Sequence, residues 1–319
     1  MQSSLNAILL RVVGIILLIV GVVALFAARA FASEFGALGG FIAGGLGGGM
    51  VAGGTAMFNY ARRLRLAKEG PLPPAKGAVI YLRSFAEDSK TDQGVSSGAL
   101  GNLGLITEEE QLVASLSSVG SVIAVGRPHE QLPELGATRL HFTQDEWQEG
   151  VHKLLREGSV AVIRPGSFSP GVRWEIQQAL KQLTPEHLLL IVGGRAGKHQ
   201  DSDLAEFAAQ VSPMLPHPLP TSYDGRKLYR LGTIRAFVRF DSRWTPTLLP
   251  VAIDLVPYFR RTISRRLVPY YQQALRPVLT DLGYSPSPLP LSAGMVTIAV
   301  GFGLLLLLLM AELLVALFG

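Results

Sequence analysis

A run without a single charge, from Phe35 to Tyr60, restricts this chain more than any other stretch. It exceeds the roughly 20 residues that a helix needs to cross the hydrocarbon core of a bilayer. It is also dense in glycine: Gly36, Gly40, Gly44 and Gly48 form one i, i+4 row, and Gly45, Gly49 and Gly53 form another. In water each helical glycine costs about 1 kcal/mol relative to alanine, so the segment would melt. In lipid the same rows are packing surfaces on which another helix backbone approaches closely. They predict contact with the preceding helix of the same chain or between protomers.

Two further apolar stretches lie at the ends of the chain. The first, from about Ala7 to Phe31, carries only Arg11 before Arg29; the other, Ser292 to Phe318, carries only Glu312. Both are long enough to span. The first reads as an anchor rather than a cleaved signal peptide, because the apolar run is long and no basic segment precedes it. Arg11 and Glu312 are each expected to snorkel to the nearer interface. The composition agrees: 48% of the residues are hydrophobic and 17% charged, against about 25% charged in an ordinary soluble domain. With no cysteine in the chain, disulfides and thiolate metal sites are excluded.

Charge sets the orientation. Arg62, Arg63, Arg65, Lys68 and Lys76 follow the second span with only Glu69 against them, and arginine or lysine close to a span end marks the cytoplasmic side. Met1 and the segment from 61 to about 290 are therefore expected inside, the turn from Arg29 to Glu34 outside, and the chain end outside. The net charge of +5 is absorbed by this arrangement and calls for no nucleic acid.

Gly70 to Gly77 is a proline-rich spacer that ends any helix before it. Beyond it, short apolar runs alternate with amphipathic segments. Strands are predicted at Ala78–Leu82, Ser121–Val125, Val160–Arg164 and His187–Val192, and helices at Glu108–Ser118, Glu146–Glu157 and Gly171–Leu183. Alternation of this kind predicts an α/β domain with a parallel sheet covered on both faces. Thr233–Phe240 reads as an edge strand, and Ala252–Leu282 as a basic helical stretch interrupted at Pro257, Pro269 and Pro277. The chain thus divides into two transmembrane helices within 1–60 (about 7–31 and 35–60), a basic, proline-rich linker at 61–77, an α/β domain at 78–245, a basic helical extension and linker at 246–291, and a C-terminal transmembrane helix at 292–319.

In open parallel sheets ligands bind outside the carboxyl ends of the strands, which draws attention to the loops after Leu82, Val125 and Arg164. Arg83, Ser84 and Asp88 follow the first strand; as a phosphate or ribose site they compete with an ordinary turn or cap. Arg127 follows the second and suits a pyrophosphate. After the third come Phe168, expected with Arg127 to contribute to binding affinity more than to rate, and the helix bearing Trp174 and Glu175. Trp174 suits a stacked base or simple packing. Glu175 lies about 60° from Val172 on the helical wheel, beside the apolar stripe of Val172, Ile176, Ala179 and Leu180. If Ser169 caps this helix, Glu175 lies past the first turn and is not needed for the helix dipole. Other chemistry lacks support. Val192 to Lys198 misses P-loop spacing, and the six histidines show no metal-ligand spacing.

These elements resemble the Toll/interleukin-1 receptor (TIR) domain in its bacterial form, over roughly Ala78 to Trp244. Ala78 to Asp88 is similar to the family's opening strand and box, Gly126 to Thr138 to its BB loop, and Val172 to Leu180 to the helix that bears its glutamate. The resemblance implies a flavodoxin-like sheet. It also implies that Glu175 is the catalytic residue where the family cleaves NAD, as substrate rather than cofactor. On this reading the chain is a multi-pass protein of the bacterial inner membrane with a cytoplasmic TIR-like domain. Its partners are the lipid bilayer and further copies of itself, through the glycine-rich helix and the TIR-like domain. It is an assembly-activated NAD hydrolase in a defence or signalling response. The alternative is an oligomerising interaction module, without catalysis, that perturbs the membrane.

Overall fold

A computed structural model describes residues 2–66, 74–83, 108–126, 137–143, 145–166, 168–194, 200–223, 228, 233–251 and 270–285. The chain divides into two compact units, one holding the long N-terminal helix and the other holding the sheet. The expected third span, at 292–319, lies outside the described residues.

Helix α1 runs over Gln2–Leu66 and is broken at Gly36, whose φ of 72° lies in the left-handed region. Glycine reaches that region without the Cβ clash that other residues meet. The two arms fold back on each other as an antiparallel hairpin. Segments Ile8–Leu25 and Ala32–Arg62 are each long and apolar enough to cross a bilayer. Side chains on the outside of both arms are apolar and open, Phe41 being 79% exposed, which suits lipid and would be a liability in water.

The arms meet on glycine, but not along the expected i, i+4 rows. A Cβ added at Gly54 would lie 2.6 Å from the Gly14 carbonyl oxygen and 2.8 Å from the Leu18 nitrogen. One added at Gly21 would lie 2.7 Å from the Gly47 carbonyl oxygen, and one at Gly40 2.6 Å from the Ala32 Cβ. The seam thus uses Gly14 and Gly21 on one arm and Gly40, Gly47 and Gly54 on the other, spaced by seven. A seven-residue repeat keeps two helices in register along a seam, whereas an i, i+4 row drifts round the helix. Gly44 makes only ordinary contact, 3.9 Å from the Ala28 Cβ, and no described atom lies within 4 Å of a Cβ placed at Gly45, Gly48, Gly49 or Gly53.

The second unit is an α/β domain with one seven-stranded sheet. Its strands are β1 (Val79–Arg83), β2 (Val122–Gly126), β3 (Thr138–His141), β4 (Val160–Arg164), β5 (Leu188–Gly193), β6 (Ile234–Phe240) and β7 (Pro246–Pro250). Their order is β3-β2-β1-β4-β5-β6-β7. The first five are parallel; β6 runs antiparallel to β5, and β7 antiparallel to β6, so β7 again follows the direction of the first five. The four strands read from apolar runs are therefore all present and parallel. Thr233–Phe240 is not an edge, because β7 pairs outside β6. Neither β3 nor β7 was anticipated, and β7 falls in the segment expected to be a helical extension.

Among the described residues, five helices cover the sheet. Those at Trp147–Glu157 (α3), Pro170–Gln182 (α4) and Gln200–Val211 (α5) line one face, where Val151, Leu155, Val172, Ile176 and Leu204 pack on Ile80, Leu82 and Ile163. The helices at Glu108–Leu116 (α2) and Tyr270–Asp281 (α6) line the other, where Leu112, Leu116, Tyr271 and Leu275 pack on Val79, Tyr81 and Val162. Strands buried on both faces read as unbroken apolar runs, which is why β1, β4 and β5 were visible in the sequence.

The seam generates a test of the hairpin. Gly54→Ala drives a methyl into the opposing backbone and should lower the melting temperature of the detergent-solubilised protein, since overpacking costs about 1–3 kcal/mol. Gly49→Ala, on the open side, should not lower it. Equal effects from the two would refute the seam.

Candidate active site

Between β1 and β4 the strand order changes direction, β2 and β3 lying to one side and β5 to the other. The crevice outside the carboxyl ends of these two strands is where an open α/β sheet binds ligands. After β4 the chain passes Pro165 and turns at Gly166, whose φ is 54°. It then enters α4, where the Ser169 hydroxyl accepts a hydrogen bond from the Val172 N–H at 3.3 Å and Pro170 occupies the first turn. The predicted cap is thus present. It fixes the rotation of α4 so that Val172, Ile176 and Ala179 lie against the sheet.

Glu175 is carried in beside them and retains 6% exposure. Its Oε2 has no hydrogen-bond partner among the described residues. Burial pushes its carboxyl up to a pKa of about 8. Trp174 turns the other way and packs edge-on against Trp147, with ring centroids 4.8 Å apart, and against His152 at 5.3 Å. His152 in turn accepts a hydrogen bond from Gln182 at 2.7 Å. Trp174 is therefore a packing residue between α3 and α4. The Arg173 guanidinium lies 5.0 Å from the ring centroid of Phe168. Ser84, Asp88 and Arg127 lie outside the described residues.

Arg83 is not brought to Glu175. Successive residues of a strand face opposite ways. Leu82 points to the α4 side and Arg83 to the α2 side, where its Nη1 bonds Glu109 at 2.9 Å. It belongs to a buried charge network that the motif reading missed. Arg139 of β3 meets the other oxygen of Glu109 at 2.9 Å. Glu108 pairs with Arg164 at 3.6 Å and accepts hydrogen bonds from Thr233 N–H at 2.7 Å, Ile234 N–H at 3.0 Å and the Tyr271 hydroxyl at 2.5 Å. The Thr233 hydroxyl donates to its second oxygen. Burial alone would raise the Glu108 pKa, but Arg164, Thr233, Tyr271 and the Ile234 N–H together hold it below the ordinary value. A sequence signal for the network did exist: Val-Ile-Tyr-Leu-Arg83 and Val-Ala-Val-Ile-Arg164 are two apolar strands each closed by arginine, and the two arginines pair in register.

No group of three potential metal ligands occurs among the described residues. No family model, curated protein or solved structure matches the chain.

The two acids predict opposite pH behaviour. Glu175 binds its proton more tightly folded than unfolded, so stability should fall as pH rises from about 4.5 to about 8, by about 1.4 kcal/mol per pH unit. Thermal melts across pH should show Glu175→Gln without that slope and more stable than the parent at pH 8. Tyr271→Phe removes one donor from a buried carboxylate and should cost about 1–3 kcal/mol. That loss should shrink as acid protonates Glu108, which titrates below the ordinary 4.5 of a glutamate.

Proposed function

We propose that this chain is a membrane-anchored, TIR-like protein whose α/β domain hydrolyses NAD when copies assemble, with Glu175 as the catalytic residue. One observation carries the reading: a glutamate at 6% exposure, one carboxyl oxygen without a hydrogen-bond partner among the described residues, on the helix that follows the crevice strand β4. An acid held in this way weakens the fold, and perturbed groups of this kind concentrate at functional sites.

In the proposed reaction the bond between ribose C1′ and the nicotinamide nitrogen breaks. The electron pair leaves with nicotinamide, water adds at C1′, and the water proton is released. Positive charge develops on the ribose, as in glycoside hydrolysis, and an adjacent carboxylate stabilises it. NAD brings its own positive pyridinium, whose arrival beside Glu175 lowers the acid's pKa and favours the ionised form. Ser84 and Asp88 are the candidates for the ribose and phosphates, and Arg127 for the pyrophosphate. Arg83 drops out of that set because Glu109 holds it.

On this reading β2-β1-β4-β5 is a flavodoxin-like core with β3 added at its edge. The protein sits in a bacterial inner membrane by three spans, with Met1 and the α/β domain cytoplasmic and Gly319 outside. The interaction-module reading draws on a different observation, the row Gly45, Gly49 and Gly53 that the hairpin seam leaves open. Such small-residue rows accept a second helix in lipid.

The test is NAD turnover by the reconstituted protein. kcat/KM should rise with pH and level off above about 8, as the free-enzyme carboxyl ionises. Glu175→Gln should lose at least about 100-fold while remaining folded, since removing one transition-state electrostatic partner costs roughly 3 kcal/mol. Full turnover by that variant would remove Glu175 from the mechanism, and no turnover by the parent in any assembly state would favour the interaction module.

A further inference from the structure

The second arm of the hairpin covers only one of its sides. Gly40, Gly47 and Gly54 meet the first arm along the seam. At about 100° per residue, Gly45, Gly49, Ala52 and Ala56 lie within about 60° of one another and roughly 180° round the helix from that seam. No described atom comes within 4 Å of a Cβ placed at Gly45 or Gly49, and Ala52 and Ala56 are exposed. Farther along the same side, Leu38, Phe41 and Ile42 are each more than half exposed. The arm thus shows a continuous, uncharged face, shallow over the small residues and walled by large side chains toward the bend at Gly36.

We infer that this face seats the C-terminal apolar segment, Ser292 to Phe318, as a third helix of the same chain. Three considerations carry this. Pro290–Gly319 belongs with Met1–Lys68 to one compact unit. A folded domain between two spans stays on one side of a bilayer, so a third span begins where the second arm ends and runs antiparallel to it. Its unbroken leucines then come level with the small residues: Leu304 and Leu309 lie 12 and 17 residues beyond Ser292, and the same steps back from Tyr60 reach Gly48 and Ala43, on either side of Gly45. Large side chains of one helix fill the space above small ones of the other, and such van der Waals packing joins helices in lipid, where apolar burial gives no drive. Because leucine side chains rather than backbone approach this face, it has room for a methyl at Gly49, unlike the seam, but not for a leucine. The face is thereby closed within one chain and not left for a second copy. The inference rests on the three-span placement proposed above and is independent of any chemistry at Glu175.

The chain has no cysteine, so pairs can be introduced without background. In the full chain, reconstituted in phosphatidylcholine vesicles, Gly45→Cys is combined with Leu304→Cys and then with each leucine in turn through Leu309→Cys, and mildly oxidised. A protease site placed in the spacer from Gly70 to Gly77 and cut after solubilisation reveals a link within one chain, since the halves then stay joined until reduced. Such links should peak at positions three or four apart. They should exceed at least about fivefold those formed from Val20→Cys, exposed on the first arm near the same level, because a disulfide needs Cα atoms within about 7 Å. Without any cysteine, the halves of the cut parent should co-purify in detergent, and Gly45→Leu combined with Gly49→Leu should lower that recovery severalfold. Dimers linked through Gly45→Cys would place a second copy on the face and overturn the inference. So would equal linking from Val20→Cys, no linking from Gly45→Cys, or recovery unchanged by the two leucines. Leu307→Cys alone separates the two levels of failure. Its labelling in vesicles by a membrane-impermeant maleimide overturns the third span itself, whereas protection without cross-linking overturns only the seat on this face.

Discussion

Glu108 and Glu109 hold the carboxyl end of the sheet together. Glu109 binds Arg83 of β1 and Arg139 of β3, while Glu108 binds Arg164 of β4, the backbone entering β6 and the hydroxyl of Tyr271 on α6. The first turn of α2 thus spans the place where strand order reverses and reaches the start of β6 and the helix α6. Buried ion pairs contribute little when set against apolar packing, yet losing one member leaves an uncompensated charge and costs several kcal/mol. The arrangement ties β1, β3, β4 and β6 to a single turn of α2. Rigid support beneath a site is what lets a reacting group be held in place.

Against that background the isolation of Glu175 stands out. Both Glu108 and Glu175 are almost fully buried, but one has five partners and a depressed pKa, and the other has an oxygen without one and a pKa of about 8. The difference arises from the faces of the sheet. The α2 side gathers the arginines that end β1 and β4, whereas on the α4 side Glu175 lies with the apolar cluster of Ile80, Leu82, Ile163 and Ile176, and its Oε2 meets no donor among the described residues.

Much of the fold was legible in the sequence because parallel strands buried on both faces leave continuous apolar runs, as at Val160–Arg164 and His187–Val192. The strand at Thr138–His141 left no such run, since Arg139 is drawn into the core by Glu109 and His141 is exposed at the sheet edge. Pro246–Pro250 was hidden by its two prolines, which argue against a strand unless the strand is an edge. For the site, the 3.6-residue period placed Glu175 beside the core stripe, and Ser169 and Pro170 announced the start of its helix. The same period gave no information on Glu108, because its burial depends on Thr233 and Tyr271, distant in sequence. The glycine rows marked the packing helix but not the seam within the hairpin, which takes only Gly40 from them: spacing of four is visible in one helix, whereas the seam is set by where the second helix lies.

The prolines of β7 carry one more consequence. Val251 donates its N–H to the Arg235 carbonyl on β6, so the N–H groups of residues 247 and 249 also face β6 while those of residues 246, 248 and 250 face outward. Two of those three outward positions are Pro246 and Pro250, which have no N–H to offer. The outer rim of the sheet therefore presents the single backbone donor of Leu248, too little to template another strand. Natural sheets blunt their edges in this way against runaway strand addition. Wherever copies of such a chain were brought close together, this edge would resist extension of the sheet from that side.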